Sequence, residues 1–352
     1  MTTTSFPCAS CGARVEHLPG TDALSCPYCG SQQAIVAVQR QVAEHSFTDL
    51  RPRQRAAAQL FSCPKCAAQT ESDALSERCP FCTTPLVGDA QSIGQIAPEA
   101  VVPFDVDQAA VRDRLRQWIS TRWFAPSSLR QVGVAESVRS VYLPHWTLDS
   151  QTASDYTGQR GDDYWATESY TTTVNGQSQT QTRQVRRTRW RPASGSVSRR
   201  FDDVLVPATR RVDSDHLHDL MPWPLPQAKP YQPEYLSGHQ TLRYEVEPEA
   251  ALEQAKQQMA AVIHEDCEQD IGGDHQRVSN VDTQYTDVTY KLMLLPVWIV
   301  CYLHAGKSWQ VYVNGSSGSV TGQRPYSTAK IAAAITVGLA LIGLLVFLFT
   351  RN

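Results

Sequence analysis

The segments Cys8-Ala9-Ser10-Cys11 and Cys26-Pro27-Tyr28-Cys29 share their spacing with Cys63-Pro64-Lys65-Cys66 and Cys79-Pro80-Phe81-Cys82. Two residues between cysteines let both thiolates of a tight turn point at one ion, and two such turns on facing hairpins complete a tetrahedral cage. The pattern therefore predicts two tandem zinc ribbons with one Zn²⁺ ion each. The predicted ligands are Cys8, Cys11, Cys26 and Cys29 in the first ribbon and Cys63, Cys66, Cys79 and Cys82 in the second.

Two other uses of these cysteines stay open. The knuckles Cys26-Pro27-Tyr28-Cys29 and Cys79-Pro80-Phe81-Cys82 would also suit iron in a rubredoxin-like site, since four thiolates bind either metal. Structural disulfides are the other alternative, and they require an oxidising compartment.

The C-terminal stretch 331–349, IAAAITVGLALIGLLVFLF, has 19 residues and no charge. At 1.5 Å rise per residue, such a helix can cross a hydrocarbon core of ~30 Å. A buried core helix is the alternative, but core helices seldom run this long without a polar face. We expect residues 329–352 to form a single transmembrane tail anchor.

Two observations favour a cytoplasmic location for the rest of the chain. The N-terminal sequence MTTTSFPCAS has no apolar signal-peptide core. Zinc-bound cysteines must stay reduced, which is the condition of the cytosol. The sequence thus predicts a single-pass protein with its N-terminal bulk in the cytoplasm.

The charge distribution argues against nucleic-acid binding by the ribbons. The chain has a formal net charge of −3, and 41% of its residues are hydrophobic. The first ribbon, 1–39, sets Arg14 against Glu16 and Asp22, and the second, 61–92, is also acidic. Ribbons that bind phosphates usually carry a basic face. The linker between them, 40–60, is modestly basic and could form a short helix.

Two stretches of the chain share one order of elements, which is a strand, an amphipathic helix and then antiparallel strands. They form the predicted modules 93–160 and 239–328, and each contains the sequence Leu-Pro-x-Trp, at 143–146 and 152 residues later at 295–298. The repeated order indicates a duplication. The predicted fold class is α+β, with two N-terminal zinc ribbons, two related modules, a β-arm between them and a C-terminal transmembrane helix.

The predicted β-arm region, 161–215, is polar, and Asn175-Gly176 inside it is a strong hairpin signal. A proline-rich connector follows at 216–238. The arm could bind anionic lipid, nucleic acid or an acidic partner, with lipid favoured near a membrane, or it could be a solvated strand with cross-strand partners. The basic residues concerned are Arg183, Arg186, Arg187, Arg189 and Arg191.

The sequence carries no serine nucleophile elbow, zinc-protease helix or dinucleotide-binding glycine loop. Gly306-Lys307-Ser308 imitates the end of a Walker A loop, but it joins two predicted strands. Asp274 and His275 could act together only if they converged in a pocket. We therefore predict no enzymatic activity and no catalytic residue.

Several motifs accompany the cysteine knuckles: FDDVLV at 201–206, IGGDHQR at 271–277, LLPVW at 294–298, VNG at 313–315 and RPYS at 324–327. Together they resemble bacterial membrane-anchored zinc-ribbon proteins that are often labelled primosomal protein N′ or superfamily II helicase. The helicase label has no support here, because a motor needs a phosphate loop and an acidic magnesium-binding strand. Some members of this family resemble components of envelope-stress operons beside PspA-like and SPFH proteins.

The resemblance implies a non-enzymatic adaptor at the bacterial inner membrane, with an SPFH-like or PspA-like protein as its partner in envelope stress. The alternative is a membrane-tethered nucleic-acid-binding protein that uses the basic arm 183–200. One departure from the family pattern concerns the second ribbon. There, Ala67 and Thr83 occupy the positions where glycine is expected after the second cysteine of each knuckle.

Overall fold

The computed structural model describes seven stretches of the chain, 6–50, 59–88, 95–122, 137–174, 177–304, 307–323 and 326–351. Its centre is a sheet with three long strands, β10 (Ser137–Val174), β11 (Gln177–Pro207) and β14 (His275–His304). Strand β10 lies between the other two and pairs antiparallel with both.

Shorter elements surround these strands. The other strands are β1 (Glu16–His17), β2 (Ala23–Ser25), β3 (Gln32–Ala34), β4 (His45–Ser46), β5 (Gln59–Ser62), β6 (Gln69–Ser72), β7 (Ala74–Arg78), β8 (Pro85–Val87), β9 (Ala100–Val101), β12 (Lys229–Pro230), β13 (Gln240–Leu242), β15 (Lys307–Asn314) and β16 (Val320–Gly322). The α-helices are α1 (Gln108–Ser120), α2 (Ser214–Asp219), α3 (Pro248–Ile271) and α4 (Thr328–Arg351).

Burial along β10 changes with the neighbours of the strand. Residues 141–150 are all buried, whereas from 151 to 157 only alternate positions are buried. After Gly161, β10 has no partner in β14, because β14 begins at His275, which lies opposite Gly161. Beyond that point β10 and β11 continue as a two-stranded hairpin, here called the arm (161–190), with Gly161 opposite Trp190 at its base.

Helix α3 packs against the middle of the long strands. It begins at Pro248, where a missing N–H costs nothing in the first turn. It ends before Gly272, whose φ of 62° suits glycine. Burying one large apolar side chain contributes ~1.5–3 kcal/mol, and this helix buries a stripe at a spacing of three or four residues: Leu252, Ala255, Met259, Ile263, Cys267 and Ile271.

The segments 93–160 and 239–328, here called the two halves, pair with each other around their Leu-Pro-x-Trp sequences. Leu143 lies opposite Leu295 in the ladder between β10 and β14. Strand β9 pairs parallel with β14 at 293–294, and β13 pairs parallel with β10 at 141–142. Each short strand therefore pairs with the long strand of the other half, and a pseudo-two-fold axis passes between Leu143 and Leu295.

The indole groups of the two segments repeat this exchange. Trp146 Nε1 donates to Val246 O at 2.8 Å, and Trp298 Nε1 donates to Val106 O at 2.9 Å. Each acceptor lies one residue before the N-cap of a helix, α3 or α1. The segments 93–160 and 239–328 thus pack against each other's elements instead of forming two separate cores.

Both cysteine-containing units are attached to this body. Strands β1, β2 and β3 form a small sheet, and β5 pairs with β6, while β7 and β8 join the large sheet through β13. The described part of the linker, 40–50, contains β4 and a 3-10 turn at Phe47–Asp49 and no α-helix. The rest of the linker up to residue 58 lies outside the described residues. The connector 216–238 contains the end of α2, the two-residue strand β12 and 3-10 turns at Leu225–Gln227 and Pro233–Leu236, and its prolines keep these elements short.

Candidate metal centres

The first ribbon brings its four predicted ligands into one cluster. Cys8 Sγ lies 3.6 Å from Cys29 Sγ, and Cys11 Sγ lies 3.7 Å from Cys26 Sγ. All four sulfur atoms lie within 4.8 Å of one another. Four ligands at ~2.3 Å around a tetrahedral zinc ion would be ~3.8 Å apart, whereas a disulfide requires ~2.05 Å. The cluster thus has the dimensions of a four-thiolate metal site, consistent with zinc, and not those of a disulfide.

The second ribbon forms an equivalent cluster. Cys63 Sγ lies 3.4 Å from Cys82 Sγ, and Cys66 Sγ lies 3.8 Å from Cys79 Sγ. In each knuckle of both ribbons the first cysteine is buried, and the second is more exposed. Four protein ligands leave no open position for a substrate, which is the pattern of a structural ion.

The four knuckles share one turn conformation. Gly12 and Gly30 in the first ribbon have φ values of 71° and 73°, in the left-handed region that favours glycine. Ala67 and Thr83 in the second ribbon have φ values of 57° and 58°. The second ribbon therefore keeps the turn geometry despite its missing glycines, at a cost of ~1–2 kcal/mol for each residue with a Cβ.

A hydroxyl group two residues after the last cysteine supports each cluster. Ser31 Oγ lies 3.0 Å from Cys8 Sγ and 3.1 Å from Cys29 Sγ, and Thr84 Oγ1 lies 3.1 Å from Cys82 Sγ. The hydrogen bond with Ser31, together with backbone N–H groups of its own knuckle, lowers the pKa of Cys8 to about 6. Thr84 likewise lowers the pKa of Cys82 to about 6.

These hydroxyls favour the thiolate form that binds metal. Neither Ser31 nor Thr84 was predicted from the sequence. Their common position, two residues after Cys29 and Cys82, was the available signal.

The two ribbons are fixed to each other and to the sheet. Arg78 forms two hydrogen bonds of 2.7 Å with the carboxylate of Glu16 and a third of 3.1 Å with Gly238 O. A cleft of about 650 Å³ separates the ribbons. The knuckle aromatics are exposed, with 73% of Tyr28 and 71% of Phe81 accessible to solvent.

The arginines of the arm pair with carboxylates on the neighbouring strand. Arg186 bonds to Asp163, and Arg183 and Arg187 both bond to Glu168. At the base of the arm, Arg191 bonds to Asp162. The guanidinium of Arg189 lies over the ring of Tyr164, 4.9 Å from its centroid. Each of these five arginines on β11 thus has a partner on β10.

Asp274 and His275 both contact Asp163 at the base of the arm. Asp274 Oδ2 accepts a hydrogen bond from the backbone N–H of Asp163 at 2.8 Å, and His275 Nε2 lies 3.2 Å from Asp163 Oδ2. The ring of Trp190 lies next to His275, and Arg277 covers Trp190 at 3.9 Å. These contacts hold the arm against the start of β14.

A further acidic group surrounds the buried Lys291. Its Nζ lies 2.9 Å from Glu44 Oε1 and 2.6 Å from Asp203 Oδ1, and Asp149 and Asp202 are close by. Burial and the neighbouring Glu44 raise the pKa of Asp149 to about 6, and the hydrogen bond with Asp149 lowers the pKa of Glu44 to about 2. The ammonium group already neutralises part of this cluster, which ties the linker to β14.

The C-terminal helix is long and apolar enough to cross a membrane over Thr328–Phe349, which is 22 residues. Its large apolar side chains, such as Leu339 and Phe347, are mostly exposed, so the folded body does not cover them.

Comparison with known proteins gives one distant likeness. The chain is similar to "Uncharacterized protein YdjG" from Bacillus subtilis (strain 168), with 22% identity over 344 residues, which cover 94% of this chain and 92% of that protein. No protein-family model matches the chain. No solved structure matches it either.

Proposed function

We propose that this protein is a tail-anchored zinc-ribbon adaptor that recruits a cytoplasmic protein partner to the inner face of a bacterial membrane. The observation that carries the proposal is the pair of four-thiolate clusters in a chain that also contains an apolar helix long enough to cross a membrane. A structural zinc ion supplies an apparent ~10–16 kcal/mol to the folding of such a site. Each ribbon would therefore present a rigid surface.

Charge and exposed side chains favour a protein as the ligand of the ribbons. A zinc ion with four thiolates has a formal charge of −2, which adds to the acidic residues around it. Such a surface would repel a phosphate backbone. Tyr28 and Phe81, exposed at equivalent knuckle positions, are of the aromatic type that is enriched at protein interfaces.

The proposed location of the protein rests on its metal-binding thiolates, and its proposed partner rests on the family resemblance. Zinc-binding thiolates must stay reduced, which favours a cytosolic location for the ribbons, and the helix α4 would hold them at the inner membrane. The resemblance to proteins of envelope-stress operons suggests a PspA-like or SPFH-like partner. We propose no catalytic role for the chain.

The nucleic-acid alternative rests on the arm, and the contacts there favour it less. Arg186, Arg187 and Arg191 are engaged by carboxylates, so a phosphate would have to displace those partners. This alternative predicts salt-dependent binding of DNA or RNA by the full chain. Absence of binding at low ionic strength would eliminate it.

Affinity purification of the full chain from membranes, followed by mass spectrometry, tests the adaptor proposal. The double variant Cys63→Ser/Cys66→Ser removes the metal from the second ribbon, whereas Phe81→Ala keeps every ligand and removes one exposed ring. We expect both to lose the partner that the unaltered protein retains, and Arg186→Gln on the arm to keep it. An unchanged partner set in the double variant would show that the second ribbon does not recruit.

A further inference from the structure

A cavity of about 460 Å³ lies where the chain passes into its C-terminal helix. Its walls come from the end of α1, from β15 and β16, and from the residues just before α4. Tyr326 in the wall stands two residues before Thr328, the first residue of α4. If α4 spans a membrane, as proposed above, this cavity opens next to the membrane surface.

Arg122 supplies positive charge to the cavity. Its guanidinium lies over the ring of Trp118, 5.4 Å from the centroid. The described residues that line the cavity include no carboxylate. Asp219 touches one of them by accepting a hydrogen bond from Thr321 Oγ1 at 3.1 Å. Within the described stretches Arg122 has no ion pair, so its charge is available to an anionic ligand.

The aromatic residues of the cavity fit a lipid surface. Trp118, Trp309 and Tyr326 all line it. Tryptophan and tyrosine concentrate at membrane interfaces, where an apolar ring with one polar atom meets both the acyl chains and the headgroups. Arg112 and Arg114, both exposed on α1, add further basic groups on the same helix.

We infer that this cavity binds the headgroup of an anionic phospholipid. Arg122 would hold the phosphate, while the rings of Trp118 and Trp309 would lie against the glycerol and the upper part of the acyl chains. The inference rests on the proposed membrane anchoring and adds a lipid class to it. It also assigns lipid contact to α1 and the neck of the anchor instead of the arm.

The position of the arm supports this assignment. The arm starts at the His275 end of β14, whereas β15 and the anchor follow the other end, near Cys301. These ends are roughly 85 Å apart along the strand at ~3.3 Å per residue. The arm arginines also have carboxylate partners, whereas none of the described residues that line the cavity offers a carboxylate to Arg122.

Native mass spectrometry of the full chain, released from detergent and titrated with phosphatidylglycerol or phosphatidylcholine, tests the inference. We expect phosphatidylglycerol to bind in preference, and Arg122→Gln to weaken that binding about fivefold, the factor for one basic group at an anionic surface. Arg122→Lys should restore most of it. Arg116→Gln is the matched control, because Arg116 is exposed on the same helix but pairs with Asp113 at 2.8 Å.

Three results would overturn the inference: equal binding of both lipids, unchanged phosphatidylglycerol binding in Arg122→Gln, or displacement of the lipid by free glycerol phosphate. The last would identify a site for soluble phosphates. Flotation of the full chain with phosphatidylcholine vesicles separates the two proposals. Failure to float would contradict membrane anchoring, whereas flotation without a lipid preference would contradict only the headgroup site.

Discussion

Trp146 and Trp298 make the same hydrogen bond from opposite halves of the sheet, each to a carbonyl group of the other half. Two backbone hydrogen bonds near these tryptophans follow the same pseudo-symmetry, without crossing between the halves. Pro144 O accepts from the N–H of Ala208 at 3.0 Å, and Pro296 O accepts from the N–H of Gly315 at 2.8 Å. A sequence whose two halves exchange strands and hydrogen bonds in this way should unfold as one cooperative unit.

Replacement of either indole tests this cooperativity. Trp146→Phe and Trp298→Phe each leave a carbonyl, buried at Val246 and partly buried at Val106, without its indole donor, which costs up to ~1–3 kcal/mol before any loss of packing. We expect similar losses in the free energy of unfolding, with one transition in urea for both variants. A biphasic transition, in which only one half of the sheet unfolds early, would contradict the interlocked arrangement.

The knuckle turns predict opposite effects of two small substitutions. Gly30→Ala should weaken the first ribbon by about 1 kcal/mol, because a Cβ there meets nothing within 4 Å and only the backbone conformation resists it. Ala67→Gly should strengthen the second ribbon by a similar or smaller amount, since glycine also gains entropy when unfolded.

Competition with a colorimetric zinc chelator measures both effects. Gly30→Ala should release its zinc at a lower chelator concentration, and Ala67→Gly at a higher one. Ala9→Gly, at a knuckle position without a positive φ, serves as the control. Equal zinc retention in all three would show that the turn conformation does not limit metal binding.

The buried side chain of His145 makes the free energy of unfolding depend on pH. It is fully buried and its Nδ1 lies 3.1 Å from Leu143 O, and burial lowers the pKa of His145 to about 4. The unfolded chain would therefore bind a proton below pH ~6.5 that the folded chain refuses. Stability should fall as the pH drops from ~6.5 toward 4, by at most ~1.4 kcal/mol per pH unit for this group.

Urea unfolding of the zinc-loaded protein between pH 7.5 and 5.5 checks the effect. His145→Gln should show a shallower decline than the unaltered protein, whatever its absolute stability. The exposed His264 provides a control, because His264→Gln removes a histidine whose ring is already in solvent. Parallel slopes in all three proteins would contradict the assignment.

The contact between Lys291 and the linker is the basis of a fourth prediction. Burial opposes the charged form of Lys291, but Asp203 and Glu44 outweigh it and raise the pKa of this lysine. Lys291→Met would leave the carboxylates of Glu44 and Asp203 without their cation. Because the side chains of Glu44 and Asp203 are 39% and 28% exposed, solvent screens them, and we expect a loss below the ~3–5 kcal/mol typical of a fully buried pair.

Limited proteolysis together with urea unfolding would reveal this loss. We expect the linker near Glu44 to become susceptible to cleavage in Lys291→Met. The double variant Lys291→Met/Glu44→Gln should recover part of the stability, because it also removes one of the unpaired charges. If the double variant is less stable than the single one, the carboxylates are not the source of the loss.

The sequence predicted the sulfur clusters because metal-ligand spacing is a local property. Two residues between cysteines fix the turn, and the turn fixes the direction of the thiolates. The acidic group around Lys291 could not be predicted from the sequence, since Glu44 and Lys291 are 247 residues apart. The exchange of β9 and β13 between the halves also depends on distant contacts. The Leu-Pro-x-Trp repeat indicated two similar segments but not that Leu143 would lie opposite Leu295.

The uninterrupted length of the long strands determines how far this protein can reach. The anchor end of β14 and the base of the arm are roughly 85 Å apart along the strand, and the arm adds about 40 Å. That length is about four times the thickness of a hydrocarbon core. A protein that binds near the outer end of the arm would thus remain linked to the membrane while its own surface lies deep in the cytoplasm.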